Sequence, residues 1–390
     1  MLRDNMLAVM NELNETAAER EELIACIAIA LLTRKNLFIL GDTGQAKSYA
    51  INEFHRRISG ARQFERLLSK QTDEEALFGR IDLKSLIDGD PKMITKGKIP
   101  DSHIVFLDEI FKSNEGVLNS LLTALNERRY TNESETVDIP VISFMSASNE
   151  IPSFSDPSER ILKPLYDRFD LKVVTRYIER RDERLKTLLR KQSGVTGDAG
   201  AGISLDELYA MQAEVRYVVV PTAVNELMDD VLCELRRVGV HVSDRKYLNY
   251  YPIVQAKAWL EGRNAVQPAD LPGLKNYLWT NPDEIAVISQ VLERLCVNPL
   301  KEKLDEIRLL AKDSYDDFVG NDADSKALRK LRGEMLRLYV MIKNIAAGET
   351  DAGAKDAIDE AINELETFSR SAHDRTNFTY APLPELEKLQ

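Results

Sequence analysis

The sequence is poor in the residues that build staples and metal cages. Of 390 residues, three are cysteine (Cys26, Cys233, Cys296) and four are histidine (His55, His103, His241, His373). The cysteines lie far apart in apolar stretches, odd in number and without metal-ligand spacing. A disulfide framework is therefore excluded and a reducing compartment is expected. The histidines are scattered, and His103 is expected to be structural, since a lone histidine has no ligand set. Long hydrophobic runs are missing too. The longest, LIACIAIALL at 23–32, has ten residues, where a bilayer crossing needs about 20. Glu21 and Glu22 precede it and Arg34 and Lys35 follow, an order that suits the dipole of a buried helix. The opening MLRDNMLAVM has no apolar leader core, so no signal peptide and no membrane insertion are expected, and the cytoplasm is the expected location. Basic excess is also absent: 52 Lys+Arg face 64 Asp+Glu, a net charge of −12. That balance argues against wrapping nucleic acid or lying on anionic lipid.

What is present is a globular composition, 44% apolar and 30% charged. At about 100–200 residues per domain the length predicts two or three domains. Short apolar runs at 36–40, 64–69, 104–107, 141–147 and 171–175 alternate with helical patterns such as 46–58 and 114–127. This predicts an α/β core with a mostly parallel sheet over 1–175. Helical patterns then dominate 176–299, broken by the Gly-rich SGVTGDAGAG at 193–202, an expected loop. Asn298-Pro299 is the expected boundary to a third region. There Leu328, Leu331, Met335, Leu338, Ile342 and Ile345 recur at 3-4 spacing, as do Ile358, Ala361, Leu365 and Phe368. The turn AAGETDAGAK separates them. Residues 300–370 are thus expected to form a helical hairpin, or a three-helix arm if Leu300, Leu304 and Ile307 join. Its seam either packs internally or recruits a partner helix. Residues 371–390 are expected to be a tail.

The sharpest chemical signal is GDTGQAKS, Gly41, Asp42, Thr43, Gly44, Gln45, Ala46, Lys47 and Ser48, between an apolar strand and a helix. It follows the phosphate loop G-x-x-x-x-G-K-[ST], except that Ala46 stands at the second glycine. A Cβ is tolerated there if the residue has right-handed torsions. Loop N–H groups would cradle phosphate oxygens, Lys47 would reach the β- and γ-phosphates, and Ser48 would ligate Mg²⁺. About 60 residues on, IVFLDE at 104–109 ends an apolar strand in two carboxylates, at the sheet edge where ligands bind. Asp108 can hold the metal shell, and Glu109 can orient or polarise the attacking water.

With these motifs in place the chain resembles the AAA+ ATPases, in particular their MoxR branch. The stretches that carry the likeness are LDEIFKSNEGVLNSLLTALNERRYTNES at 107–134 and SASNEIP at 146–152. Within that branch it is most similar to the RavA proteins, which share the alanine before the loop lysine. VSDRKYLNYYPIVQAKAWLEGRNAV at 242–266 and LKNYLW at 274–279 add to this. The resemblance implies an ATPase with ATP/ADP and Mg²⁺ as ligands, an α/β core, a helical lid over 176–299 and a C-terminal helical arm. It implies sensor 1 at Asn149 and an arginine finger at Arg168, with Arg160 a weaker candidate. It implies sensor 2 at Arg245, touching the γ-phosphate of its own subunit. A finger that acts on a neighbour needs head-to-tail contacts, which close into rings, and the family usually forms hexamers. The implied work is that of a chaperone or remodeller of protein complexes, with a von Willebrand factor A domain protein as companion. RavA proteins carry a β-rich domain inserted in the arm; residues 300–390 hold no clear run of strands, so partners of that insert are not carried over. Two other functions remain open at this point, a DNA-translocating motor and an ATP-binding switch with little turnover. Against the motor, the basic RYIERRDERLKTLLRK at 176–191 interleaves acids at helical spacing, as a solvated face does.

Overall fold

The five apolar runs form one parallel sheet in the computed structural model, which describes residues 2–88, 92–131, 136–193, 200–297, 299–320, 325–346, 352–376 and 378–388. The strands are β1 (Leu37–Leu40), β2 (Gln63–Leu67), β3 (Ile104–Asp108), β4 (Ser143–Ser148) and β5 (Leu171–Val174). Their order is β5-β1-β4-β3-β2, with every neighbour parallel. Leu37, Phe38 and Ile39 are all fully buried. That is why β1 reads as a continuous apolar run rather than an alternating one: helices cover both faces. Because all strands run the same way, their carboxyl ends share one edge of the sheet and their amino ends the other.

Four helices frame this sheet: α1 (Leu2–Thr16), α2 (Glu21–Thr33), α3 (Lys47–Arg56) and α4 (Glu115–Glu127). The expected buried helix is α2, which lies against α1 and β5. Asn114 caps α4 by accepting from Val117 N at 3.0 Å, and Arg128 ends it in the left-handed region. Helix α1 and two small hairpins, 80–81 with 93–94 and 129–131 with 136–138, were not among the expected elements. Of the expected loop at 193–202, residues 194–199 lie outside the described residues, as do Asn298 and residues 347–351 of the turn at 346–355.

A helical region follows β5, made of α5 (Arg181–Gln192), α6 (Leu205–Arg216), α7 (Thr222–Arg237), α8 (Asp244–Leu248), α9 (Tyr251–Leu260) and α10 (Lys275–Leu278). It belongs to the same compact unit as the core, residues 1–290. The joint is polar but shut from water. Tyr166 Oη donates to Thr280 O at 2.6 Å, Tyr277 Oη to Lys246 O at 2.8 Å, and Trp279 Nε1 to Lys172 O at 3.2 Å. Lys172, on β5, is 1% exposed and donates to Phe169 O at 2.8 Å. Lys246, on α8, donates to Leu278 O and Trp279 O at 3.0 and 3.1 Å. The two amines are electrostatic neighbours across the joint. Burial drives both downward, Lys172 far below the usual lysine range and Lys246 to about 8. The nearby Lys246 charge adds to that lowering at Lys172, while Asp170 and Asp167 oppose it.

Residues 291–390 form the second unit. Helices α11 (Pro299–Gly320), α12 (Ser325–Ala346) and α13 (Ala352–Asp374) pack pairwise. Leu304, Ile307, Leu331, Met335, Ile342, Ile358 and Leu365 meet in one cluster, so the 3-4 seam is covered internally by three helices. The expected tail needs correction. Helix α13 runs past 371, and a short α14 (Leu383–Glu387) buries Leu383 and Leu386 in the same cluster. Two apolar residues three apart complete one helical turn, too short a pattern to read in advance.

Candidate functional site

The loop between β1 and α3 occupies the carboxyl edge. Gly41 N donates to Ser148 O at 3.0 Å, tying the loop to the end of β4. A Cβ at Gly41 would run into Thr175 Oγ1 and Gln45 Oε1, so any other residue there must displace both side chains. Those two side chains hydrogen-bond each other at 2.7 Å. Arg20 braces the same place from outside, donating to Gln45 O at 3.1 Å and to Arg176 O at 2.8 Å. Beside this brace opens a cleft of about 380 Å³, lined by Arg20, Thr175, Arg176, Tyr177, Lys275 and Asn276 among others.

Ala46 departs from the expectation. Its φ of 59° and ψ of 28° are left-handed, not right-handed. The loop turns as it would with glycine, and the alanine bears a strain of about 1–2 kcal/mol for its Cβ. Gly44, with φ of 85°, carries the other left-handed turn without strain. Lys47 folds back over the loop, its Nζ donating to Gly41 O and to Asp42 O, the latter at 3.2 Å. Burial lowers its pKa, while Asp108, Glu109 and Asp42 oppose that shift from close by.

The two acids sit where β3 meets this edge. Asp108 Oδ1 accepts from Glu109 N at 3.0 Å. Burial raises the Asp108 pKa against the pull of Lys47. Glu109 has a left-handed φ of 54°, and its N–H reaches across to Ala147 O at 2.9 Å. Its Oε2 is buried without a hydrogen bond of sound geometry, although Lys112 Nζ stands 3.3 Å away. The Lys112 amine is close enough for charge attraction but poorly aimed. Asn149, one residue past β4, is exposed, and its side chain is unengaged among the described residues.

The residues fit a magnesium ion held jointly with a phosphate. Asp108 keeps one carboxylate oxygen free, and Ser48 Oγ makes no hydrogen bond among the described residues. These are hard oxygen donors, and Mg²⁺ needs only one or two from protein, with waters and phosphate supplying the rest. No group of three or more His, Cys, Asp or Glu gathers elsewhere among the described residues.

The three arginines do not join the loop. Arg168 lies near the amino edge: Asn36, just before β1, donates to its carbonyl at 2.9 Å. Arg168 Nε is buried with no partner. Arg160 is exposed, and its guanidinium makes no bond among the described residues. Arg245 is exposed on α8, with Tyr277 as an electrostatic neighbour. No hydrogen bond or ion pair links Arg245 to residues 41–48 among the described residues, and the next residue, Lys246, is anchored to Leu278 O and Trp279 O. Reading by motif also missed Arg20, Thr175, Asn36, Arg128 and the lysine pair. None has a local signature, since each acts on residues distant in sequence.

A parallel 5-1-4-3-2 sheet with a phosphate loop after β1, paired acids after β3 and a helical lid defines a P-loop nucleotide-binding protein of the AAA+ kind. A family model described as the MoxR domain in the MoxR-vWA-beta-propeller ternary systems matches residues 4–216, and an AAA lid domain matches 223–292. The chain belongs to the MoxR branch of the AAA+ ATPases. Two uncharacterized proteins of Methanocaldococcus jannaschii are similar to it over nearly full length. One is 30% identical, covering 93% of this chain and 95% of its own; the other is 29% identical, covering 93% and 97%. The crystal structure of a candidate ATPase from Cytophaga hutchinsonii shares the fold at a TM-score of 0.60 and 17% identity, covering 76% of this chain and 95% of that one. No described helix is long and apolar enough to cross a membrane.

Proposed function

We propose that the chain is an Mg²⁺-dependent ATPase that works as an oligomeric ring, usually six subunits in this family, and remodels protein complexes. The carrying observation is an incompleteness: Lys47, Asp108 and Glu109 share the carboxyl edge, while Arg168 is held near the amino edge with Nε unpartnered. A phosphate arriving at the loop would draw Lys47 off the carbonyls it now caps. Backbone N–H groups of the loop and the first turn of α3 would hold the β- and γ-oxygens. Mg²⁺ when bound supplies charge neutralisation between those oxygens, from Ser48 and the Asp108 shell. Glu109, whose Oε2 has an unused lone pair, would accept the hydrogen bond of the attacking water, and Asn149 would fix that water from β4. The cleft beside Arg20 takes the base. Arg168 would serve the nucleotide of the adjoining subunit, which makes hydrolysis depend on assembly, and Arg245 would touch the γ-phosphate of its own subunit.

The remodelling role and a von Willebrand factor A domain partner rest on the family, whose model is described by its ternary systems with such domains. Closeness to RavA in particular rests on sequence likeness at 242–266 and 274–279. The decisive experiment is Glu109→Gln, assayed for Mg²⁺-ATP hydrolysis and for binding of a fluorescent ATP analogue. Turnover should fall about 10²–10⁴-fold with binding retained, and the ATP-loaded variant should retain its protein client in a pull-down. Hydrolysis at the wild-type rate would remove Glu109 from the mechanism.

A further inference from the structure

Near the amino edge lies a second cation that the reading above leaves unused. Arg128 stands at the end of α4 in a left-handed conformation, with φ of 56°. Its Nη1 donates to Leu125 O at 2.6 Å. Its Nη2 donates to Asn36 Oδ1 at 2.7 Å, to Arg34 O at 3.2 Å and to Ile142 O at 3.5 Å. The guanidinium carbon lies 5.0 Å from the centre of the Phe144 ring. Among the described residues no carboxylate bonds to it, and Asp170 acts on it only through space. A partly desolvated cation held by neutral oxygens alone is an expensive way to end a helix, since a glycine does so without it.

Asn36 explains what the arrangement can do. It is 3% exposed and uses both ends of its amide. Oδ1 accepts from Arg128 and from Phe144 N, while Nδ2 donates to Leu125 O at 3.3 Å and to Arg168 O at 2.9 Å. The amide cannot flip without placing its NH₂ against the guanidinium donors. Arg128 therefore fixes the orientation of Asn36, and Asn36 fixes the carbonyl of Arg168. At its other end α4 starts at Glu115, six residues past Glu109. Thirteen helical residues span about 20 Å. One rigid helix thus links the acids of a subunit's own site to the node that grips Arg168.

We propose that Asn36 and Arg128 are positioning residues for Arg168, aiming its guanidinium out of its own subunit and coupling that aim, through α4, to the site at Glu109. The proposal rests on Arg168 acting on a neighbouring subunit, and the test separates the two. Chains carrying Arg168→Ala keep a complete site but offer no finger. Chains carrying Glu109→Gln offer a finger but turn nothing over. Mixed, they regain ATPase activity only where a Glu109→Gln chain presents Arg168 to an Arg168→Ala chain. Adding Asn36→Asp to the finger-bearing chain keeps the acceptor for Arg128 and removes the donor to Arg168 O. It should lower kcat of the mixture at least tenfold with KM for ATP unchanged. The same substitution in the site-bearing chain should change kcat less than twofold. Arg128→Lys, which keeps the charge and loses the fork, should repeat the asymmetry more weakly and guards against a misfolded Asn36 variant. Equal losses in both chains would mark a structural staple and overturn the proposal, as would no loss in the finger-bearing chain. If the unmodified mixture stays inactive, the trans reading of Arg168 is what has failed, and the proposal falls with it.

Discussion

The two edges of the sheet solve opposite problems with the same kinds of residue. At the carboxyl edge, polar groups are left short of partners. Lys47 rests on loop carbonyls, Glu109 Oε2 has no aligned donor, and Ala46 and Glu109 both sit in left-handed torsions. Near the amino edge almost everything is paired internally. Arg128 meets four oxygens, Asn36 saturates its amide, and Lys35 stands 3.7 Å from Asp170. The exception there is Arg168. A binding edge keeps unmet valence for a ligand it will receive. The opposite edge closes most of its own network and, among the described residues, leaves Arg168 Nε buried without a partner.

The sharpest way to break this comparison is Arg168→Ala. An arginine finger is worth about 10³–10⁵ in rate, so turnover of the assembled protein should fall at least a thousandfold while ATP affinity stays level. If dilution to monomers produced the same rate before and after substitution, and assembly never raised it, the edges would not be divided between subunits. Gly41→Ala strikes the carboxyl edge alone. Its Cβ collides with Thr175 and Gln45, so we expect a loss of about 1–3 kcal/mol in unfolding free energy together with weaker nucleotide binding by titration.

Lys172→Met tests a site that belongs to neither edge. Replacing a buried amine with an apolar chain should raise stability by about 1–3 kcal/mol at neutral pH. It should also flatten the pH dependence of urea unfolding. The sign follows from the lowered pKa values: the folded chain binds fewer protons than the unfolded one from the native values up to 10.5. Wild-type stability should therefore rise with pH through roughly 8 to 10.5 and weaken as pH falls through that window. The smallest expected change is Ala46→Gly. Relief of about 1–2 kcal/mol of strain is partly offset by the entropy glycine adds to the unfolded state, about 0.4–1 kcal/mol. A gain within about 1 kcal/mol, with ATP binding kept, would show that the alanine is tolerated rather than required.

The sheet and the nucleotide loop were legible because both are local. A strand buried on two faces announces itself as an apolar run, and a phosphate loop must spend its residues in sequence. Ala46 shows where that legibility ends: the motif marked the position, but not which side of φ = 0 it would take. Asn36 and Arg128 were silent for another reason. They are 92 residues apart, and an asparagine before a strand looks like any other turn residue until its partner is placed. Lys172 interrupted an otherwise apolar strand and was passed over. Its significance needs Lys246, which the reading had set in a different domain as a neighbour of Arg245.

The Trp279 indole bond to Lys172 O has a practical consequence. The chain has two tryptophans. Trp259 is spent inside the lid, donating to Glu214 at 2.9 Å. Trp279 is fully buried with its donor on the core strand. Any departure of lid from core must wet that indole and shift its emission to the red. The molecule thus carries an intrinsic fluorophore at this joint, and in a Trp259→Phe background its emission would report any separation there without a label.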